Sequence, residues 1–146
     1  MARADRLWLA RALSPTILVP HAVAEEIEAK GEGDLAAQAL KTTGWLEIVD
    51  SPVPREILEW GLGRGEAAVL AWVHANRGTL AILDDREARA AARSLRVPVI
   101  GTLGIVLKAK RAGLIAAARP EVKLLVEQGM YLSDEVVDRA LALVGE

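Results

Sequence analysis

The stretch TLAILDDREARAAARSLRVPVIGTLGIVLKAKRAGLI, residues 79–115, decides the fold class. It opens on an apolar run, residues 79–83, which is short enough for a buried strand and passes directly into Asp84 and Asp85. The pattern predicts a helix over 86–95, a strand over 97–100, a turn over 101–104 and a helix over 105–112 that Gly113 ends. A strand, a helix and a second strand in so short a space imply parallel pairing, because the helix carries the chain back to the end from which the first strand started.

The same alternation extends outward from this stretch. Upstream, a short helix is predicted over 7–13 and a β-branched strand over 16–19. Pro20 then opens a helix in which Val23 and Ile27 share a face and which Gly31 and Gly33 stop. A helix over 35–42 and a strand over 45–49 follow, closed by the turn-rich Asp50, Ser51, Pro52 and Pro54. The next helix starts at Gly65 or Glu66 and runs to about Asn76, striped by Ala68, Val69, Trp72 and Val73. Downstream, Pro120 starts a helix that Gly129 ends, and Ser133 starts the last one. No repeat or linker interrupts the chain, so a single domain over 1–146 is expected, of α/β class, with a short parallel sheet flanked by helices in three layers. In such sheets ligand sites lie beyond the carboxyl ends of the strands.

Composition narrows the possibilities. Of 146 residues, 52% are hydrophobic but only 3% aromatic, so the interior must be built from Ala, Val, Leu and Ile. Eighteen basic residues against twenty acidic give a net charge of -2, so any contact with nucleic acid must come from a local patch. The absence of cysteine excludes disulfides, thiolate zinc sites and a cysteine nucleophile, and fits a cytoplasmic protein. Arg3, Asp5, Arg6 and Arg11 break up the opening residues, so neither a signal peptide nor a membrane span is expected there.

Four carboxylates stand out by position: Glu26, Glu66, Asp84 and Asp85. Each also has an ordinary reading. Glu26 suits a solvent-facing helix position, Glu66 suits the positive start of its helix, and Asp84 with Glu87 suits a capping box. Their joint placement carries the chemistry, because Asp84 and Asp85 close a strand where a ligand site is expected. Clustered carboxylates repel one another, and a hard divalent cation, Mg²⁺ or Mn²⁺, relieves that repulsion with oxygen ligands and several waters. Metal-assisted phosphodiester hydrolysis is the chemistry suggested.

Other features are weighed against simpler roles. The segment GLGRGE, residues 61–66, lacks the Lys-Ser/Thr of a phosphate loop. Lys108, Lys110 and Arg111 close a helix, where positive charge suits the dipole, and are also candidates for phosphate contact. Thr102, at the turn after a strand, is either a simple helix start or a hydroxyl near a phosphate. The four tryptophans read as core or interface packing, and His74 as structural.

The segments ILVPHAVAEEI (residues 17–27), LGRGEAAVLAW (62–72), the DDREAR and GTLGIVLKAKRAGLI runs, and PEVKLLVEQGMYLSDEVV with its closing VGE together resemble an uncharacterised subgroup of PIN-domain proteins. The resemblance spans nearly the whole chain. It implies a Mg²⁺- or Mn²⁺-dependent ribonuclease fold, with Glu26, Glu66 and Asp84 or Asp85 at acidic metal positions. It further implies an RNA substrate and, by analogy with toxin nucleases, a cognate antitoxin protein as partner. A binding module that keeps the fold without catalysis is the rival reading.

One departure stands against the family pattern. Its members open with an apolar strand ending in an Asp that supplies the first metal ligand, whereas MARADRLWLARALSP, residues 1–15, resembles the part that follows, as if the start came about a dozen residues late. Asp5 lies in a charged helical stretch and is a poor substitute. The expectation is that the first, central strand is missing and leaves two strand edges unpaired. Rearrangement, exchanged elements or a homodimer would close the gap, and cation affinity and catalysis would be weak or absent.

Overall fold

The computed structural model of the protein describes residues 7–146; Asp5 and its neighbours lie outside the described residues. In chain order the elements are α1 (Leu7–Leu13), β1 (Ile17–Pro20), α2 (His21–Glu28), α3 (Leu35–Thr42), β2 (Leu46–Val49), α4 (Arg55–Leu58) and α5 (Arg64–Ala75). There follow β3 (Ala81–Ile82), α6 (Arg86–Ser94), β4 (Val99–Ile100), α7 (Thr102–Arg111), α8 (Arg119–Glu127) and α9 (Asp134–Ala142). They fall into two compact units, one reaching to Gly101 and the other Thr102–Glu146. No helix among the described residues is long and apolar enough to cross a membrane.

All strand pairing is parallel, as the alternation requires. β1 lies beside β2 from Ile17 opposite Leu46 to Pro20 opposite Val49, and β3 beside β4 with Ala81 opposite Val99 and Ile82 opposite Ile100. Among the described residues the four strands form two separate pairs, with no strand bonded into both. The β3–β4 pair is shorter than the apolar runs predict. Ala81 N–H donates to the Pro98 carbonyl and Leu83 N–H to that of Ile100, but Pro98 has no N–H with which to extend the ladder backward.

The first unit is organised around α5. Gly65, Ala67, Ala68, Leu70, Ala71 and Val73 of this helix are buried, covering more than a single face. Ala67, Leu70, Ala71 and Val73 join Ile57 of α4, Ala81 and Leu83 at β3, Ala88, Ala91 and Ala92 of α6, and Val97 in one apolar cluster. So many alanines let helix and strand backbones approach closely, and burial of the few large side chains supplies most of the transfer free energy. Trp72 packs against this cluster, whereas Trp8 and Trp60 are exposed and are not core residues. Helix α4 is absent from the sequence-based prediction. Four residues are too few for a periodic signal, and only the complete burial of Ile57 reveals its role.

Capping corrects one expectation. Asp84 does not cap α6; Asp85 does, its Oδ1 accepting from Ala88 N–H at 2.8 Å. Asp34 and Ser133 cap α3 and α9 in the same way. Helix α7 starts at Thr102, three residues earlier than predicted, because Gly104 weakens a helix without stopping it.

In the second unit α8 has no side-chain cap of its own at Ala118. The Glu146 carboxylate fills the place: Oε1 accepts from Ala118 N–H at 2.7 Å and Oε2 from Arg119 N–H at 3.0 Å. Lys110 Nζ lies 3.7 Å from Oε1, and Arg119 also donates to the Glu146 carbonyl. The Ala118 N–H, then the Arg119 N–H, hold this carboxyl below its ordinary value, helped by the charges of Lys110 and Arg119 and opposed by desolvation.

Two outcomes follow from these caps. Asp85→Ala should lower the unfolding free energy by about 1 kcal/mol, and Asp85→Ser should lose much less, measured by urea unfolding at constant slope. A carboxyl with a lowered folded pKa adds stability that is complete above its ordinary value of 4.5 and is lost as pH falls through the folded value. Thermal melts from pH 7 to pH 3 should therefore show the wild type losing more stability than Glu146→Gln over the acid part of that range.

Candidate active site

Helix α5 begins at Gly63, which has no side chain to cap it. The first N–H groups of a helix need acceptors, and a neighbouring helix provides one: Glu26 Oε1, from α2, accepts from Gly65 N–H at 3.0 Å. The adjacent Glu25 pairs with Arg64 at 2.9 Å, so consecutive residues of α2 grip consecutive residues of α5.

The glycines of GLGRGE now have a physical explanation. A Cβ on Gly65 would stand 2.7 Å from Glu26 Oε2, and one on Gly63 would overlap Glu66 Oε2. Both positions make room for a carboxylate instead of cradling a phosphate. Glu26, exposed, and Glu66, half-buried, are thereby brought to the same helix start.

Asp84 stands elsewhere in the same unit, exposed just beyond β3. Its Oδ1 lies 3.0 Å from the point a Cβ on Gly101 would occupy, and Arg89 Nη1 lies 2.9 Å from that point. Arg89 Nη1 also donates to the Leu83 carbonyl at 3.1 Å. Sequence reading passed over Arg89, although its place in DDREAR, one helical turn beyond Asp85, was a usable signal. Asp85 turns its carboxylate into the α6 cap, where Oδ1 accepts from Ala88 N–H.

Among the described residues no three His, Cys, Asp or Glu side chains form a group able to hold a metal ion. The expected gathering of Glu26, Glu66 and the aspartate doublet is thus reached only in part. Glu26 spends one oxygen on Gly65 and Asp85 one on Ala88. The donor chemistry, all carboxylate oxygen, suits Mg²⁺ or Mn²⁺, and a water-rich Mg²⁺ site needs only one or two protein carboxylates. Glu26 and Glu66 stand at the same helix start, and no three-carboxylate cage is assembled among the described residues.

The residues singled out for phosphate contact lie in the second unit. Thr102 is buried at the start of α7. Lys110 donates to the Ala116 carbonyl and pairs with Glu146, and Arg111 donates to the Leu143 carbonyl at 3.3 Å. Lys108 is exposed. His74 Nε2 lies 3.3 Å from Glu56 Oε1 and ties α5 to α4.

Comparison with curated proteins and with solved structures returned no match. A family model described as a PIN domain matches residues 1–146, the whole chain. With parallel strand pairs joined by helices and acidic residues at a helix start and a strand end, the chain belongs to the PIN-domain family, a nuclease fold that binds nucleic acid.

Proposed function

We propose that the protein is a ribonuclease of the PIN type that hydrolyses RNA phosphodiesters with Mg²⁺ or Mn²⁺. The observation that supports this reading is the delivery of Glu26 and Glu66 to one helix start, with Asp84 just beyond a strand in the same unit. Glu26 and Glu66 are the residues that would hold the ion in this reading. When bound, the ion would polarise the phosphodiester and lower the pKa of a bound water. The chain's own part is to keep anionic oxygen at this point. Gly65 N–H fixes Glu26, and the bare Gly63 and Gly65 let both carboxylates approach the backbone.

By analogy with toxin nucleases, the biological setting in this reading is cytoplasmic, with a small antitoxin protein restraining the enzyme and a homodimer as its assembly. A second reading, a nucleic-acid-binding module without catalysis, is favoured by one observation: no three-carboxylate group is assembled among the described residues.

Incubation of the full chain with single-stranded RNA and Mn²⁺ should give slow cleavage that EDTA stops and that Glu66→Gln lowers by about tenfold or more, a loss typical of changes at a metal site. Cleavage unchanged by Glu66→Gln would overturn the assignment. RNA bound but left intact would establish the module instead.

A further inference from the structure

Helix α6 and its end carry an uneven share of the positive charge. Arg86, Arg89, Arg93 and Arg96 fall in a stretch, residues 86–96, whose single acid is Glu87. Ala88, Ala91 and Ala92 are buried, so the helical period puts Arg86, Arg89 and Arg93 together on the side away from the core, with Glu87 on the flank. Arg86, Arg93 and Arg96 are exposed, while Arg89 is half-buried and donates to the Leu83 carbonyl at 3.1 Å. Residues three and four apart on a helix are neighbours, so Arg86 meets Arg89 and Arg89 meets Arg93, a repulsive arrangement for the protein by itself. No acid stands three or four positions from Arg86, Arg93 or Arg96. Among the described residues these three make no ion pair, whereas Arg55, Lys123 and Arg139 each pair with a glutamate four positions away. Two placements also run against the stability of α6. Arg86 is its first residue, where the dipole favours negative charge. Arg96 has a φ of 56°, the one positive value among the described residues other than glycine. Its N–H donates to the Arg93 carbonyl at 3.1 Å and Val97 N–H to that of Ala92 at 2.8 Å, a helix ending whose left-handed position usually holds glycine. An arginine there keeps its charge against backbone strain.

We propose that the exposed arginines of α6 form a track for the backbone of an RNA strand, with Arg86, Arg93 and Arg96 each contacting a phosphate. The proposal deepens the ribonuclease reading and rests on its RNA-binding part. A net charge of -2 gives the chain no overall field to draw RNA, so contact needs a local positive face of this kind. A row of phosphates relieves the repulsion between neighbouring arginines, and guanidinium donors match phosphate oxygens. A strand also offers its charges at regular intervals, as the arginines recur along the helix. Because α6 carries the chain back between parallel β3 and β4, Arg86 stands near Asp84 at the end of β3, and Arg96 stands at the opposite end. The track thus leads away from that strand end. The cations first expected to meet phosphate are otherwise engaged, Lys110 with the Ala116 carbonyl and Glu146, and Arg111 with the Leu143 carbonyl. Phosphate contacts fix register without reading bases, so this track holds RNA without selecting its sequence.

The test reads RNA binding apart from cleavage. Fluorescence anisotropy of a labelled single-stranded oligouridine is followed during titration with the full chain in EDTA, over a series of KCl concentrations. The variants are the triple Arg86→Gln/Arg93→Gln/Arg96→Gln, a control that removes equal charge from paired cations, Arg55→Gln/Lys123→Gln/Arg139→Gln, and Arg96→Gly. The α6 triple variant should bind about tenfold or more weakly at about 0.1 M salt and show a salt slope smaller by about 2, since each phosphate contact on a single strand contributes about 0.7. The control should bind as the wild type does. Arg96→Gly should melt at a higher temperature than the wild type, because glycine accepts the left-handed backbone, and yet bind RNA more weakly. Damage to the fold would lower both, so the opposite signs separate the two causes. Equal losses in the two triple variants would overturn the proposal, as would unchanged affinity in the α6 triple or in Arg96→Gly, or no binding by the wild type. Failure of the nuclease reading looks different: with Mn²⁺ in place of EDTA, RNA is held through α6 but stays intact.

Discussion

The Glu26 carboxylate of α2 accepts the N–H of Gly65 at the start of α5, and the rest of the first unit is arranged around this contact. Helix α5 contributes four of the eleven buried residues of an aliphatic cluster, more than any other element, and packs there with residues of β3, α6 and α4. Its own N-cap is glycine and cannot satisfy the exposed N–H groups. A carboxylate from another helix does so, and its negative charge suits the partial positive charge of the helix start. The acid that satisfies this structural need is also one of those proposed above to hold the ion.

This double use explains the glycines between the two helices. A side chain at 63 or 65 would make the flexible end of Glu66 or Glu26 shift from its present place. The same reasoning applies at Gly101, where Asp84 and Arg89 need the space. None of these three glycines has a positive φ, so what marks them is the close approach of charged side-chain ends and not an unusual backbone conformation. At each place the small residue and the charged group form one arrangement.

Negative charge is handled locally in three places. Glu25 meets Arg64, Asp85 meets Ala88 N–H, and Glu146 meets two N–H groups with Lys110 close by. Each of these three carboxylates has protein partners of its own.

The order of helices and strands, the parallel pairing and the PIN relationship were legible in the sequence, because hydrophobic period, Gly and Pro punctuation and motif spacing are all local properties. Ser133 was likewise readable as a cap, since such a residue bonds an N–H only two or three positions away. The capping of α6 by Asp85, the burial of Ile57 in a four-residue helix and the division of the strands into two pairs were decided by tertiary structure. So were the two remote caps, Glu26 on α5 and Glu146 on α8, separated from their partners by 39 and 28 positions. A helix that lacks its own cap announces only that an acceptor is needed. Which distant carboxylate supplies it depends on how the chain folds back, and that is settled by packing, which no local pattern records.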